Sequence, residues 1–249
     1  MITYPNAKIN IGLNIIKKRN DGYHDISSVF YPVNQLFDIL EISPSNIFSF
    51  TNSGIPIDTD KNICIKAYEL LKADFAIPPV RIHLHKKIPI GAGLGGGSAD
   101  GAFTLTSLNQ IFQLKLSNNE LEKYALLLGA DCPFFIDNKP KYVNGIGERM
   151  LLIDLDLSNF DIRFVFTDLF VSTAQAYTNI TPQMPNYDLL AIINDPIENW
   201  QRNVKNDFEM SIFITYPKLR AIKEKLYADG ALYASMTGSG SVIYGIFNK

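Results

Sequence analysis

Residues 89–102 read PIGAGLGGGSADGA, which places six of the chain's sixteen glycines in fourteen positions. Glycine loses more backbone entropy on ordering than any other residue, so a stretch that accepts this cost needs positive φ angles or a close backbone approach. The flanks narrow the choice. Residues 80–85 alternate apolar and polar side chains, the pattern of a half-exposed strand. Residues 98–112 carry Ala102, Phe103, Leu105, Leu108, Ile111 and Phe112, which predicts a largely buried helix. A glycine loop that opens a helix directs unpaired N–H groups and a positive dipole end at one place. The natural ligand for such a place is a phosphate.

Three readings of the loop compete. A plain glycine-rich turn is one. A strict Walker A loop is excluded, because GxxxxGK[ST] needs a lysine where Gly97 stands. Gly91, Gly93 and Gly96 satisfy the dinucleotide pattern GxGxxG, but the context opposes it. The preceding strand carries Arg81, His83 and His85, whereas parallel Rossmann strands are buried on both faces. The acidic residue expected at the end of a second strand is missing too. A second helix follows instead, over Asn118–Leu128, with Leu121, Tyr124, Ala125 and Leu128 at helical spacing. Ser117 and Glu120 have capping-box spacing at its start, and Gly129 ends it. Phosphate binding survives; the nicotinamide reading does not.

The bulk properties exclude several function classes. With 249 residues the chain can form one large or two modest domains, and its apolar fraction of 47% supports a real core. A formal net charge of −2 gives no electrostatic case for nucleic acid. Two cysteines outside any CxxC pair make no disulfide framework and point to a reducing, cytoplasmic compartment. The N-terminal MITYPNAKINIG has no signal or transit character, and no apolar run approaches the ~20 residues a membrane span needs.

Strands are predicted at 9–16, 28–33 and 38–42, and a helix over Ile63–Phe75. In the first strand Ile9, Ile11, Leu13 and Ile15 share one face, leaving Lys8, Asn10, Gly12 and Asn14 to a polar one. Further on, 162–167 reads as a strand and Pro217–Ala228 as an amphipathic helix. Strands at 232–236 and 242–247 bracket Thr237-Gly238-Ser239-Gly240. Helices and strands mix without strict βαβ order, so an α+β fold is expected.

Residue by residue, most chemical candidates have a bland reading. Asp131, just beyond Gly129-Ala130, is an ordinary loop carboxylate or helix cap, and Lys8 an ordinary solvent-facing strand residue. His83 and His85 share a face with Arg81 and Lys87, which would repel a metal cation. Cys132 has no evident base to make it a nucleophile. Tyr23-His24 after Asp21-Gly22 is a turn followed by an aromatic pair.

Taken together, however, AKINIGLNI near the start, PIGAGLGGGSADGA in the middle and MTGSGSVIYGIF near the end closely resemble the three ordered motifs of the GHMP kinases. The likeness covers residues 7–247. It implies a ribosomal protein S5 domain 2-like N-terminal domain over 1–145 and a ferredoxin-like C-terminal domain over 146–249. NDGYH after the first motif, with GLGGGSAD and LGADCPFF, resembles the branch that uses ATP to phosphorylate a tertiary hydroxyl of a cytidine diphosphate-linked methylerythritol, a small-molecule substrate. By resemblance Lys8 and Asp131 are catalytic. Pro89, Ile90, Gly91, Ala92, Gly93, Leu94, Gly95, Gly96, Gly97, Ser98 and Ala99 would wrap the ATP phosphates, with Asn62 and Lys86 near the adenine. Tyr23 would stack on the cytosine and His24 hydrogen-bond it, with Tyr177 a second stacking face and Asn10 near the erythritol. Mg²⁺ would bridge phosphate oxygens; its protein ligand is not evident, Ser98 and Asp100 being the candidates. Ala99 departs from the family, which often has a serine there.

Overall fold

Strands and helices are interspersed without βαβ regularity, giving the expected α+β class. The computed structural model describes residues 1–178 and 180–249. Its strands are β1 (Ile2–Thr3), β2 (Asn6–Lys18), β3 (His24–Phe37), β4 (Ile39–Pro44), β5 (Ser49–Gly54), β6 (Val80–Lys86), β7 (Lys141–Gly145), β8 (Arg149–Leu152), β9 (Phe160–Val165), β10 (Tyr233–Met236) and β11 (Ile243–Asn248). Its helices are α1 (Ile63–Phe75), α2 (Gly96–Ile111), α3 (Asn118–Leu128), α4 (Phe134–Asp137), α5 (Thr173–Tyr177), α6 (Leu189–Ile192), α7 (Trp200–Asn203), α8 (Phe208–Thr215) and α9 (Pro217–Ala228). Two compact units result, one of Met1–Lys8, Pro32–Ile90 and Gly95–Lys139, the other of Ile9–Tyr31, Gly91–Leu94 and Pro140–Lys249. Each draws on three chain segments, so the division is not a single cut after residue 145.

The first unit carries the sheet β1-β4-β6-β5, antiparallel except for the β5–β6 pair. Along β6, Val80, Ile82, Leu84 and Lys86 are buried while Arg81 is exposed, as the alternation predicts. Ile82 and Leu84 share one core with Leu71 of α1, Leu105 and Leu108 of α2, and Leu121 of α3. Sequence-local signals set the helix ends. Asn62 caps α1 by accepting from the Cys64 N–H at 2.9 Å, and Ser117 and Glu120 form the reciprocal capping box of α3. Between them, α2 is buried on most sides, so its helical spacing alone does not reveal a polar face.

The second unit holds the sheets β2-β3-β7-β8 and β10-β11-β9. Leu13, Ile15, Phe208, Leu219, Ala234 and Ile243 belong to one core. Here the strand reading needs correction. Alternation along β2 predicts a half-exposed strand, yet Lys8, Asn10 and Asn14 are as buried as their apolar neighbours. The polar positions are tolerated because each is satisfied internally; Asn14 accepts from the Tyr187 hydroxyl at 3.0 Å. The open edge of β2 is also covered: the Leu13 N–H donates to the Lys205 carbonyl at 2.8 Å, and the Asp207 N–H to the Leu13 carbonyl at 2.8 Å.

Candidate active site

Lys8 stands near the start of β2, with its ammonium 3.5 Å from the carboxylate of Asp131. The lysine side chain is 4% exposed and the aspartate 34%. Asp131 lies in the turn that joins α3 to α4, where the Cys132 N–H donates to the Gly129 carbonyl and the Phe134 N–H to Asp131's own. Burial lowers the pKa of Lys8, and the charge of Asp131 together with its hydrogen bond partly offsets that fall. The two residues that the sequence offered as unremarkable are therefore one partly desolvated ion pair.

Gly95, at the start of α2, lies against the stem of this lysine. Gly95 caps α2 at φ +71°, with no side chain closing the helix start. A Cβ on Gly95 would stand 2.9 Å from Lys8 Cγ and 3.0 Å from Phe135 Cζ, so only glycine lets the chain run flat across the lysine stem. The first helical hydrogen bond of α2 is donated by Ala99 to Gly95 at 2.9 Å, leaving the earlier N–H groups aimed away from the helix body. Asp131, Lys8 and this helix start belong to one unit. Cys132 is buried, and burial pushes its thiol up to about 12 while the neighbouring Ser98 hydroxyl pulls the other way. Such a thiol stays protonated and is no nucleophile.

In the second unit, Gly93 is held by the third motif. At φ +76° a Cβ there would collide with the Thr237 carbonyl. The Thr237 hydroxyl donates to the Gly93 carbonyl at 3.0 Å and accepts from the Asn10 N–H at 3.2 Å. The role of Thr237 is not legible from composition; its signal is the Gly-Ser-Gly that follows it. Asn10 is built into the same network, donating to Ser28 at 3.0 Å, while its carbonyl accepts from the Tyr244 hydroxyl at 2.7 Å. At 2% exposure it is buried.

Tyr23 is 61% exposed on a turn whose Asp21 accepts from its N–H at 3.1 Å. His24 does not follow it outward. Its ring stacks on Tyr177 at 4.6 Å, and Tyr177 in turn meets Phe208 edge-on at 4.9 Å. Tyr177 therefore backs the histidine rather than facing Tyr23. Burial, with help from the charge of Lys18, holds His24 below its ordinary pKa, so the ring is neutral at neutral pH.

At the nucleotide end, Asn62 and Lys86 both have partners within the protein. Asn62 is the α1 cap, half-buried, with its carboxamide oxygen engaged. Lys86 is 4% exposed and its ammonium lies between Asp38 and Asp100, so it presents no charge to an adenine. No group of three His, Cys, Asp or Glu residues able to hold a metal ion occurs among the described residues. Asp100 is taken by Lys86, and His83 and His85 are engaged with Thr51 and Ser53. No helix among these residues is long and apolar enough to cross a membrane.

Comparison with known proteins gives a consistent picture. The pattern described as "GHMP kinases N terminal domain" matches residues 62–139, and "GHMP kinases C terminal" matches 189–249. A 4-diphosphocytidyl-2-C-methyl-D-erythritol kinase from Azobacteroides pseudotrichonymphae is 50% identical over all of this chain and 94% of its own length. One from Bacteroides fragilis is 49% identical, with 92% of its length covered. A crystal structure of 4-(cytidine 5'-diphospho)-2C-methyl-D-erythritol kinase superposes with a TM-score of 0.86 at 31% identity, covering 99% of this chain and 90% of that one.

Thr237→Val keeps the side-chain shape but strips the Asn10 N–H and the Gly93 carbonyl of their partner. A loss of about 1–3 kcal/mol in unfolding free energy is expected by denaturant titration, with Thr237→Ser restoring most of it.

Proposed function

The chain belongs to the GHMP kinase family, and from that premise we propose that it transfers the γ-phosphoryl group of ATP to the tertiary 2-hydroxyl of 4-diphosphocytidyl-2-C-methyl-D-erythritol. The reaction belongs to the non-mevalonate route to isoprenoid precursors and takes place in the cytoplasm. One observation supports the chemistry above all others: the buried Lys8 ammonium 3.5 Å from Asp131, laid along the glycine that opens α2.

Phosphoryl transfer asks a protein mainly for positioning and charge stabilisation. Asp131 accepts the proton of the attacking hydroxyl as its oxygen bonds to phosphorus. Lys8 holds that oxygen and offsets the negative charge between carboxylate and phosphoryl group. Residues 89–99 take the triphosphate, with N–H groups at the α2 start substituting for a Walker lysine. The nucleotide would enter as its magnesium complex, the cation offsetting part of the phosphate charge. Asn62 borders the adenine. At the acceptor end Tyr23 stacks on the cytosine, and the neutral His24, braced by Tyr177, hydrogen-bonds its edge.

A coupled assay of ADP release over a panel of alcohols tests the reading. Turnover is expected with the cytidine-bearing acceptor and not with homoserine or mevalonate; the reverse pattern overturns it. Tyr23→Ala is expected to raise KM for the acceptor about tenfold, since a base stacked on an aromatic ring is worth about 1–3 kcal/mol. KM for ATP should stay unchanged, and equal rises for both substrates would remove Tyr23 from the cytosine site.

A further inference from the structure

Beneath the start of α2 lies a second buried lysine that the transfer chemistry does not use. Lys86, the last residue of β6, places its ammonium 2.5 Å from Asp38 Oδ2 and 2.8 Å from Asp100 Oδ2. Asp38 is 0% exposed and Asp100 1%. Asp38 Oδ1 also accepts the N–H groups of Lys87 at 2.5 Å and Ile88 at 2.8 Å, the residues that lead into the glycine loop. Asp100 stands in the first turns of α2, and its Oδ1 finds no hydrogen-bond partner among the described residues. The ammonium also lies close under the loop: a Cβ added to Gly96 would be 3.0 Å from Lys86 Nζ.

An interior cluster of one cation and two acids is a poor device for stability alone. Apolar replacements of such clusters are often neutral or stabilising, because desolvation consumes the Coulombic gain. Its geometry gives it another use. Asp38 ties both Lys86 and the backbone after β6 to one point, and Lys86 ties that point to α2 through Asp100. The N-terminal turn of α2 is thus fixed in position and orientation from below.

Charge matters as well as position, since an uncompensated anion under a helix N-terminus opposes phosphate binding. Burial pushes Asp100 up to about 8; Lys86 pulls against that rise and Asp38 adds to it. Lys86 itself is raised: burial lowers it, but Asp100 and Asp38 more than offset that. Burial thus disfavours a full negative charge on Asp100, and Lys86 offsets the charge of Asp38 beside it, which limits the anion beneath the helix start.

We propose that Asp38, Lys86 and Asp100 are positioning residues for the nucleotide, holding the first turn of α2 where its N–H groups meet the triphosphate. The proposal rests on the kinase reading above. Its test measures binding rather than turnover, by calorimetric titration of a non-hydrolysable ATP analogue and, separately, of the cytidine-bearing acceptor.

Asp100→Ala keeps a good helix former but cuts the tie to Lys86. Its Kd for the analogue is expected to rise about tenfold, the scale of one or two lost charge-assisted contacts, with the Kd for the acceptor unchanged. Asp100→Asn resembles the neutral acid and still accepts from Lys86, so it should bind the analogue within about twofold of wild type. Lys86→Met should weaken nucleotide binding at least as much as Asp100→Ala. If that protein does not fold, the Ala and Asn pair decides alone. Wild-type affinity in Asp100→Ala, equal weakening of both ligands, or failure of Asn to rescue overturns the positioning role. Failure of the wild-type protein to bind the analogue overturns the kinase reading instead.

Discussion

Lys8 gives up nearly all its contact with water to stand beside Asp131, and the chemistry assigned to the chain depends on that placement. Burial works against the ammonium and the carboxylate works for it. Removing one member of a buried ion pair costs far more than the pair contributes, because the survivor is left uncompensated. The surrounding structure is arranged to keep the two together. β2 brings Lys8 inward, the turn between α3 and α4 presents Asp131, and Gly95 leaves room for the lysine stem.

The two buried lysines show how neighbours decide what one residue type does. Lys8 faces one carboxylate that is itself a third exposed, and its pKa falls. Lys86 faces two carboxylates that are closed off from solvent, and its pKa rises. The first arrangement suits a group that must meet a reacting oxygen. The second suits a fixed strut, with its charge consumed internally.

Much of this was legible from sequence where the signal is local. The glycine loop, the alternation of β6, the Asn118–Leu128 helix and its Ser117–Glu120 box all depend on neighbours in the chain. What sequence reasoning missed depends on partners far away in it. Asn10 and Asn14 look solvent-facing because, the nearer Ser28 apart, Tyr244, Thr237 and Tyr187, which hydrogen-bond them, lie more than a hundred residues on. Lys86 looks available to a ligand because Asp38, 48 positions earlier, is silent in any motif. Tyr177 was legible as an aromatic near the site but not as the backing of His24. The short strands β1 and β5 carry no pattern of their own and form by pairing with β4 and β6.

Single-turnover phosphoryl transfer by Asp131→Asn, read beside its ligand affinities, bears most directly on the buried pair. Asparagine keeps the shape and the contact distance while removing the proton acceptor. ATP and acceptor are then expected to bind much as in wild type, while transfer slows by ~10² or more, the lower range for general-base catalysis. Transfer at the wild-type rate would contradict the role given to Asp131 and, with it, the reason for burying Lys8 at its side.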